Sequence, residues 1–492
     1  MSTVEAQDQR VETEVLEPAS CTQSSCKFLL PQKGLLSADA FLKFKMIGGN
    51  ANMDTPLMAG SLGALRRASM YYGNVLLCDT DQAAHLLQLK STFVSQDVRN
   101  QTYQTKIGHF SGLKVDESAA GKKGMYSLDA ENDGSGIEGL EVTDAAGAHY
   151  NRTTAFRLGT TAANTPEWSI PLKWLFPSFL TQTQLPLGLL NDRITVVFDF
   201  NDDLPGMRTI INTPPNVGAA WVAGNDIVIE SVQMSLDLIY YDDLPNKPSR
   251  MEQIASALNN GIEMVYTDYV HVEEYIPAQA AQPTVPVEEN KIIRLQLDNQ
   301  IVRNLLMATP LQADYSGTIP SDFANPILGD YCSPISQGET SLQVKINNQN
   351  LYVNAINSDA KLWNELSQVY NTPAKSNVGF TSMVGQVAGA NLNFSPSFLA
   401  FPNDKHILGH PEGGVTANSF GLSGQLGYMG VNMSRTYDNV LGAGTSVGKA
   451  PVEIIYNRQR TNEEYGQVRV LVWAECERIM MIRNGTIYVS GG

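Results

Sequence analysis

Hydrophobic and polar residues alternate with a period of two along much of this chain. In one run, Ile194, Val196, Phe198 and Phe200 alternate with polar residues such as Asp199. Side chains of a β-strand point alternately to its two faces, so this pattern predicts a strand with one buried face. Similar alternation predicts strands over residues 233–240, 293–298, 342–346 and 468–472.

Turn-forming residues separate these runs, and few helical patterns lie between them. The chain contains 40 glycines and 24 prolines. Many short strands without regular helical crossovers are typical of an antiparallel sandwich or barrel, and not of an α/β enzyme. The pattern therefore predicts an all-β protein with a few short helices.

One pattern occurs twice, once in each half of the chain. Residues 66–93 and 342–370 each read as a strand, a tight Gly/Asn turn, a second strand and a short amphipathic helix. Asn74 and Asn350 are predicted to mark equivalent turns. A repeated β-unit in a chain of 492 residues indicates two similar domains, because a chain of this length is too long to fold around one hydrophobic core.

The predicted helices are short. Asp81 and Asp359 are candidate N-caps, because a carboxylate can accept hydrogen bonds from the first turn of a helix. A third helix is predicted over residues 249–260, after Pro245 and Pro248. In the repeated unit, the helices are predicted to pack on their own barrels through Leu86, Leu89 and Phe93, and through Leu362, Leu366 and Tyr370.

Four segments follow from these patterns. Residues 1–34 are predicted to form a flexible acidic arm, since their apolar content is low and acidic residues predominate. Residues 35–244 form the first domain, residues 245–261 a linker with a helix, and residues 262–492 the second domain. Residues 108–150 and 373–451 lack strong periodicity and are predicted to be long loop insertions.

The net negative charge of the chain argues against nucleic acid as a direct partner. Charged residues make up 17% of the chain and the net charge is −16. Direct wrapping of nucleic acid is therefore disfavoured, because neutralising phosphates requires lysine and arginine. A surface with few charges favours burial against neighbouring subunits. We find no apolar run of the roughly 20 residues that a membrane-spanning helix needs.

The cysteines and the N-terminus indicate folding inside a cell. Five cysteines are scattered, at positions 21, 26, 78, 332 and 476, without the spacing of a zinc site. They are predicted to be free thiols, as expected in a reducing compartment. The acidic, polar N-terminus is unlike a signal peptide, so the protein is not expected to be secreted.

Carboxylate pairs are candidate catalytic groups, but their spacing argues against that role. Adjacent carboxylates on a strand point to opposite faces of the sheet, whereas a glycosidase needs two that flank one bond. Asp199 and Asp237 could meet across neighbouring strands, although solvated strand positions explain them as well. The pairs are Asp202–Asp203, Asp242–Asp243, Glu273–Glu274 and Glu475/Glu477.

Other chemical motifs are incomplete. His406 and His410 could bind one metal ion together only on a helix, which Gly409 and Pro411 disfavour. Residues 442–451 resemble a phosphate-binding loop but lack the Ser/Thr that would hold magnesium. The sequence therefore predicts no catalytic residue, no cofactor-binding residue, no metal site and no enzyme activity.

Three segments carry a resemblance to a known family. They are a Leu-Pro-Leu step leading into an alternating strand, a strand ending in an aromatic-Asp turn, and the first copy of the repeated unit. They resemble segments of double jelly-roll major capsid proteins of the PRD1/adenovirus-like lineage, of the polinton-like virus or virophage type. The segments are Gln184–Asp203, Val232–Asn246 and Ala64–Phe93.

This resemblance implies two consecutive eight-stranded antiparallel jelly rolls and a structural role. A viral major capsid protein of this type forms homotrimers that are pseudo-hexameric capsomers and tile an icosahedral shell of a dsDNA virus. The implied partners are the chain itself, neighbouring capsomers, and penton and minor or cement proteins. The implied location is the virion, after folding in the host cytoplasm or nucleus; host receptor and internal membrane stay undetermined.

An alternative is a carbohydrate-binding or carbohydrate-active protein with two β-sandwich domains. It would need an aromatic platform on one concave face. The candidates are the five tryptophans, Trp168, Trp174, Trp221, Trp363 and Trp473. A second alternative, a cupin-type metalloenzyme, would need clustered histidines and a bound metal ion.

Overall fold

A computed structural model gives the architecture of the chain. It describes residues 9–48, 60–91, 113–119, 122–127, 141–143, 149–151, 161–165, 167–176, 179–180, 185–201, 227–241, 250–277, 287–309, 340–357, 361, 365, 368–369, 428–433, 444–449, 451–460 and 468–490.

The first half of the chain forms two antiparallel sheets and two small two-stranded pairs. One sheet has the order β1-β13-β4-β11 and the other β2-β3-β12-β5-β6, while β7 pairs with β8 and β9 with β10. The strands are β1 (Gln9–Leu16), β2 (Ser20–Cys21), β3 (Ser25–Leu29), β4 (Leu35–Gly48), β5 (Leu65–Tyr72), β6 (Val75–Asp81), β7 (Leu113–Ala119), β8 (Lys122–Ser127), β9 (Glu141–Thr143), β10 (His149–Asn151), β11 (Glu167–Pro171), β12 (Ile194–Phe200) and β13 (Ile227–Tyr241).

The second half forms two more antiparallel sheets. One has the order β14-β22-β16-β19, with β20 paired to β16 and β23 to β22, and the other has the order β15-β21-β17-β18. The strands are β14 (Ile262–Ile276), β15 (Val287–Leu295), β16 (Ile301–Ala308), β17 (Thr340–Ile346), β18 (Gln349–Asn350), β19 (Tyr428–Asn432), β20 (Thr445–Ser446), β21 (Val452–Arg460), β22 (Val468–Arg483) and β23 (Thr486–Ser490).

The two halves share one topology. In each half, eight strands taken in chain order lie as 1-8-3-6 in one sheet and 2-7-4-5 in the other. This is the strand order of a jelly roll, a double-sheet sandwich built from two Greek keys. The predicted pair of eight-stranded jelly rolls is confirmed. We call the half with β1–β13 the first lobe and the half with β14–β23 the second lobe.

Alternation of side chains explains why these segments are strands. In β12, the residues Ile194, Val196, Phe198 and Phe200 are at most 1% exposed, and the residues between them are half-buried. All five strands predicted from the period of two are present. Strand β15 ends at Leu295, three residues before the predicted alternation stops at Asp298.

The repeated unit is confirmed, but its second turn lies elsewhere than predicted. In the first lobe, Gly73 and Asn74 join β5 to β6, and Tyr72 pairs with Val75. In the second lobe, Asn347 and Asn348 join β17 to β18, both with φ above +50°. Two residues with positive φ are typical of a tight hairpin. Asn350, the predicted turn residue, lies in β18.

The predicted flexible arm is wrong for residues 9–34. Strand β1 pairs with β13 along its whole length, from Gln9 opposite Tyr241 to Leu16 opposite Met234. Strand β3 pairs with β12, and its Cys26 and Phe28 are fully buried. These strands are the first two of the jelly roll. The first lobe therefore begins at β1 and not at residue 35.

The helices are few, as predicted. They are α1 (Ala83–Ser91), α2 (Leu172–Leu175) and α3 (Arg250–Asn260), and short 3-10 helices span Gly60–Ala64, Ala162–Asn164 and Leu187–Leu189. Helix α3 lies between the last strand of the first lobe and the first strand of the second. The boundaries at residues 244, 245, 261 and 262 stay predictions. In the second repeat, residues 361, 365, 368 and 369 are helical.

The prediction of free cysteines is wrong for one pair. Cys21 and Cys26 are directly opposite on β2 and β3, with Cα atoms 4.1 Å apart, and form a disulfide. The antiparallel pairing brings the two side chains together although the spacing in sequence gave no such signal. Cys78 and Cys476 are free and buried. Cys332 lies outside the described residues.

Candidate functional site: the seam between the two lobes

The two lobes meet where β6, an edge strand of the first lobe, lies beside β14 of the second. Leu77 is the extra residue of a β-bulge in β6. Its carbonyl accepts a hydrogen bond from the Tyr266 hydroxyl. The Asp79 backbone N–H donates to Asp268 Oδ1 at 2.9 Å. Side chains of the second lobe therefore satisfy backbone groups that an edge strand leaves unpaired.

The end of β6 is held in the same way. Trp473 Nε1 donates to the Asp81 carbonyl oxygen at 2.9 Å, and the Gln82 amide donates to Glu273 Oε2 at 3.4 Å. Trp473 is fully buried and lies on β22. Every contact here requires a specific side chain from the second lobe, so the two lobes have one defined relative position.

Ion pairs line the seam that these contacts form. Within the first lobe, Arg67 holds Asp79 through two nitrogens, with distances of 2.7 to 3.1 Å. Across the seam, His271 Nδ1 lies 3.5 Å from Asp81 Oδ2. The second lobe adds two buried pairs of its own: Asp268 with Arg478 at 3.1 Å and Glu273 with Arg469 at 2.7 Å.

Burial shifts the pKa values of the seam residues. Burial raises the pKa of Asp268 to about 6, although the charge of Arg478 acts in the opposite direction. For Glu273, burial also favours the neutral form, but the hydrogen bond and charge of Arg469 outweigh it and lower the pKa. Burial lowers the pKa of His85 well below 6.5, helped by the charges of Arg469 and His271.

Apolar side chains also cross between the lobes. Tyr266, Met480, Ile482 and Ile487 of the second lobe belong to the hydrophobic core of the first lobe, and all are at most 2% exposed. Phe179 packs edge-on against the Tyr266 ring, with centroids 5.1 Å apart. Each core is therefore completed by residues from the other half of the chain.

Helix α1 makes the reverse contribution. Leu86 and Leu89 are fully buried in the core of the second lobe, whereas Leu87 lies in the core of the first. The prediction that this helix packs only on its own barrel is wrong. Its hydrophobic residues are distributed between two cores because the helix follows β6 directly into the seam. Phe93 lies outside the described residues.

A glycine turn fastens the end of the chain to the first lobe. The Gly485 carbonyl accepts hydrogen bonds from the Tyr72 hydroxyl at 2.9 Å and the Asn191 N–H at 2.8 Å. Gly485 has φ of +75°, and a Cβ there would lie 2.7 Å from the Leu189 oxygen. Only glycine fits, because the turn approaches the first lobe so closely.

The candidate carboxylates have structural partners. Glu475 accepts hydrogen bonds from Asn304 and Thr267, and Glu477 binds Arg303 at 2.7 Å. Asp199 and Asp237 lie in different sheets of the first lobe, so they do not meet across neighbouring strands. They accept hydrogen bonds from Ser25 and Thr13. Asp202, Asp203, Asp242 and Asp243 lie outside the described residues.

Among the described residues, the other candidate sites do not form a metal site or an exposed aromatic platform. His406 and His410 lie outside the described residues. Within the described ranges, no three His, Cys, Asp or Glu side chains are grouped so that they could hold a metal ion. In those ranges, too, no helix is long and apolar enough to span a bilayer. Trp168 and Trp473 are at most 2% exposed, so they do not form an exposed aromatic platform.

Known structures share this architecture. PBCV-1 VP54, fitted into a cryo-EM reconstruction of the virophage Sputnik, aligns with 100% of this chain and 98% of its own, at 11% identity and a TM-score of 0.59. The chain has the fold of the double jelly-roll major capsid proteins. The 3.5 Å cryo-EM structure of the Sputnik virophage covers 100% and 90%, at 13% identity and a TM-score of 0.55.

The Faustovirus major capsid protein has the same double jelly roll. It covers 97% of this chain and 91% of its own, at 10% identity and a TM-score of 0.51. No protein-family model matches the chain, and no curated protein matches it in sequence. The double jelly roll is thus shared with these capsid proteins at the level of strand order and not of sequence.

Sequence reasoning identified the two lobes but not the seam. The residues that build it, such as Tyr266 and Asp268, lie in an alternating strand and look like ordinary strand positions. Strand length gives no signal either, since β13 of the first lobe makes none of these contacts and is as long as β14, at 15 residues.

Proposed function

We propose that this chain is a viral major capsid protein whose trimer is a pseudo-hexagonal building block of an icosahedral shell. The observation that carries the proposal is the rigid pairing of two jelly rolls of one topology. Two similar lobes per chain give six lobes in a trimer. A ring of six similar lobes is a block that can tile a surface.

The structural relatives support this role. The similar structures include the PBCV-1 virus capsid, the Sputnik virophage and the Faustovirus major capsid protein. Partners of this chain are then further copies of itself, with penton and minor or cement proteins at other positions of the shell. The chain is a component of the virion, and folds in the cytoplasm or nucleus of the host cell.

A structural role agrees with what the polar groups do. The hydrogen bonds from side chains of the second lobe to β6 fix the lobes, and the candidate carboxylates hold neighbouring strands. These contacts leave the carbohydrate alternative without a specific observation in its favour. We therefore propose that the chain acts by its shape and has no enzyme activity.

Size-exclusion chromatography with light scattering tests the proposal, followed by negative-stain imaging. The expected result is a particle of three times 53.7 kDa, about 161 kDa, with a six-lobed outline. A monomer at concentrations up to tens of micromolar, with no assembly under any crowding condition tested, would contradict the proposal.

A further inference from the structure

A disulfide lies at the outer edge of the first lobe, away from the seam. Cys21 on β2 and Cys26 on β3 are directly opposite, and β2 is the edge strand of its sheet. Cys21 is exposed, whereas Cys26 is fully buried. Cys78 and Cys476 are free thiols in the two cores. A single peripheral disulfide beside buried free thiols is unlike the disulfide frameworks of secreted domains.

This disulfide closes a short hairpin, residues 20–27, which we call the cysteine hairpin. In its loop, the Thr22 N–H donates to the Ser25 carbonyl at 2.8 Å, and the Ser25 N–H donates to the Thr22 hydroxyl at 3.0 Å. Beyond the disulfide, the Ala19 N–H donates to the Lys27 carbonyl at 2.8 Å. Strand β2 has only two residues, so the disulfide is a main part of what holds it on β3.

The loop of the cysteine hairpin reaches the other sheet of the lobe. Gln23 Nε2 donates to the Ile229 carbonyl at 3.1 Å, and the Ile229 N–H donates to Gln23 Oε1 at 3.0 Å. Ile229 lies on β13, in the sheet opposite to β2 and β3. In the sheet of the hairpin, the Phe200 N–H at the end of β12 donates to the Ser24 carbonyl at 2.8 Å. The loop therefore joins the end of β12 to the start of β13.

We propose that Cys21 and Cys26 form a redox switch, which fixes the cysteine hairpin as a disulfide and releases it as two thiols. Their Cα atoms are 4.1 Å apart, well within the ~7 Å beyond which two cysteines cannot bond without backbone movement. The pair therefore changes state while the lobe stays folded. In the reduced state, the loop is free to leave β13, and this end of the first lobe loosens.

A small disulfide such as oxidised glutathione is the co-reactant that this exposure pattern fits. The exposed Cys21 thiolate attacks one sulfur of the glutathione disulfide, which forms a mixed disulfide and releases one glutathione thiol. The Cys26 thiolate then attacks Cys21 Sγ and releases the second glutathione thiol. The two cysteines lose two electrons and two protons, and the two glutathione thiols gain them. In the reverse reaction, reduced glutathione attacks Cys21 Sγ, because Cys26 is buried.

The proposed capsid role gives the switch a direction, and only this step rests on that role. A chain made in a reducing cytosol carries the two thiols while it folds, since glutathione and thioredoxin keep cysteines reduced there. The disulfide forms when a particle reaches an oxidising exterior, and fixes the hairpin. Entry into the next cell reduces it again, because exposed disulfides are the ones that cellular thiols reach.

Measurements on the full-length chain in reduced and in oxidised glutathione test the switch. Alkylation after denaturation should find two fewer thiols in the oxidised buffer. The disulfide closes only a short loop, with a sequence separation of five, so oxidation should lower the unfolding equilibrium constant in urea by roughly tenfold to fortyfold. Hydrogen exchange of the Ile229 amide should be slow in the oxidised buffer and faster in the reduced one.

Three variants assign these effects. Cys21→Ser should remove the dependence of both the unfolding constant and the Ile229 exchange on glutathione. Gln23→Ala keeps both thiols, so it should make Ile229 exchange fast in both buffers and leave the difference in thiol count. The matched control is Cys78→Ala, which removes a buried free cysteine of the same lobe and should keep every redox difference.

Several outcomes would overturn the switch. One is an equal thiol count in the two buffers, and another is Ile229 exchange in the wild type that does not change with reduction. A redox difference that persists in Cys21→Ser, or is lost in Cys78→Ala, would assign the effect to other cysteines and overturn it as well. Failure of the proposed function is seen separately, as a monomeric wild type in light scattering, and leaves these readouts unaffected.

Discussion

At the scale of single residues, the seam depends on a few buried polar side chains. Asp268 is 2% exposed, accepts the Asp79 N–H and pairs with Arg478. A buried charge is tolerated only when it is paired and hydrogen-bonded. Removing one partner therefore leaves the other uncompensated.

The variant Asp268→Ala measures this dependence. It leaves the Arg478 guanidinium and the Asp79 N–H without their carboxylate, so the free energy of unfolding should fall by about 3–5 kcal/mol. The control is Arg294→Ala in the exposed Arg294–Glu453 pair, where the loss should stay below about 1 kcal/mol. Urea unfolding followed by tryptophan fluorescence gives both values. Equal losses in the two variants would show that the seam pair is no more important than a surface pair.

His85 should make the stability of the protein depend on pH. Its pKa in the folded protein is well below 6.5, so below pH 6.5 the unfolded chain binds a proton that the folded chain does not. Stability is therefore lost as pH falls, by up to about tenfold in the unfolding equilibrium constant per pH unit. Asp268 opposes this below pH 6, since its raised pKa favours the protonated folded form.

Comparison of the wild type with His85→Gln isolates the histidine, because the contribution of Asp268 cancels in the difference. The advantage of the wild type in unfolding free energy should shrink between pH 7.5 and 5.5. A constant difference for His85→Gln across this range would show that the imidazole is not held neutral.

At the scale of elements, the strands were predictable and their partners were not. Alternation identified β12 and β13 because each has one face in a core. The N-terminal strands escaped detection, since β1 has only three apolar residues among its eight and lies at an edge. Strand β1 is ordered by its pairing with β13, which lies more than 200 residues away in sequence. The composition of a segment does not report such a distant partner.

The hairpin turn of the second repeat gives a prediction at this scale. Asn348 has φ of +61°, a conformation that β-branched side chains rarely adopt. Asn348→Val should lower the free energy of unfolding by about 1–2 kcal/mol, and Asn348→Gly should cause no loss. Asn350→Val, two residues later in β18, is the control and should be tolerated. Equal effects at both positions in thermal denaturation would place the turn elsewhere.

At the scale of the whole molecule, the two lobes are one folding unit. Tyr266, Met480, Ile482 and Ile487 complete the core of the first lobe, and Leu86 and Leu89 complete that of the second. The repeat in the sequence predicted two similar domains, and the structure confirms their shared topology. The exchange of core residues could not be predicted, because a buried residue looks the same in sequence whichever core it enters.

Shared cores predict cooperative unfolding. Scanning calorimetry should give one transition for both lobes, because neither core is complete without the other half of the chain. Truncation after Arg483 removes Ile487 and the Gly485 carbonyl, and should lower the midpoint of this single transition. Two separated transitions in the full-length protein would contradict this account.

The pairing of β1 with β13 has a consequence for synthesis on the ribosome. Strand β1 can pair with β13 only after more than 200 further residues have left the ribosome. The core of the first lobe is complete only after Ile487 has been synthesised. At 5–20 residues per second, translation of this chain takes roughly 25 to 100 s. During that time, the apolar faces of the early strands are without their native partners. We therefore expect nascent chains to need chaperones that shield such strands until translation ends.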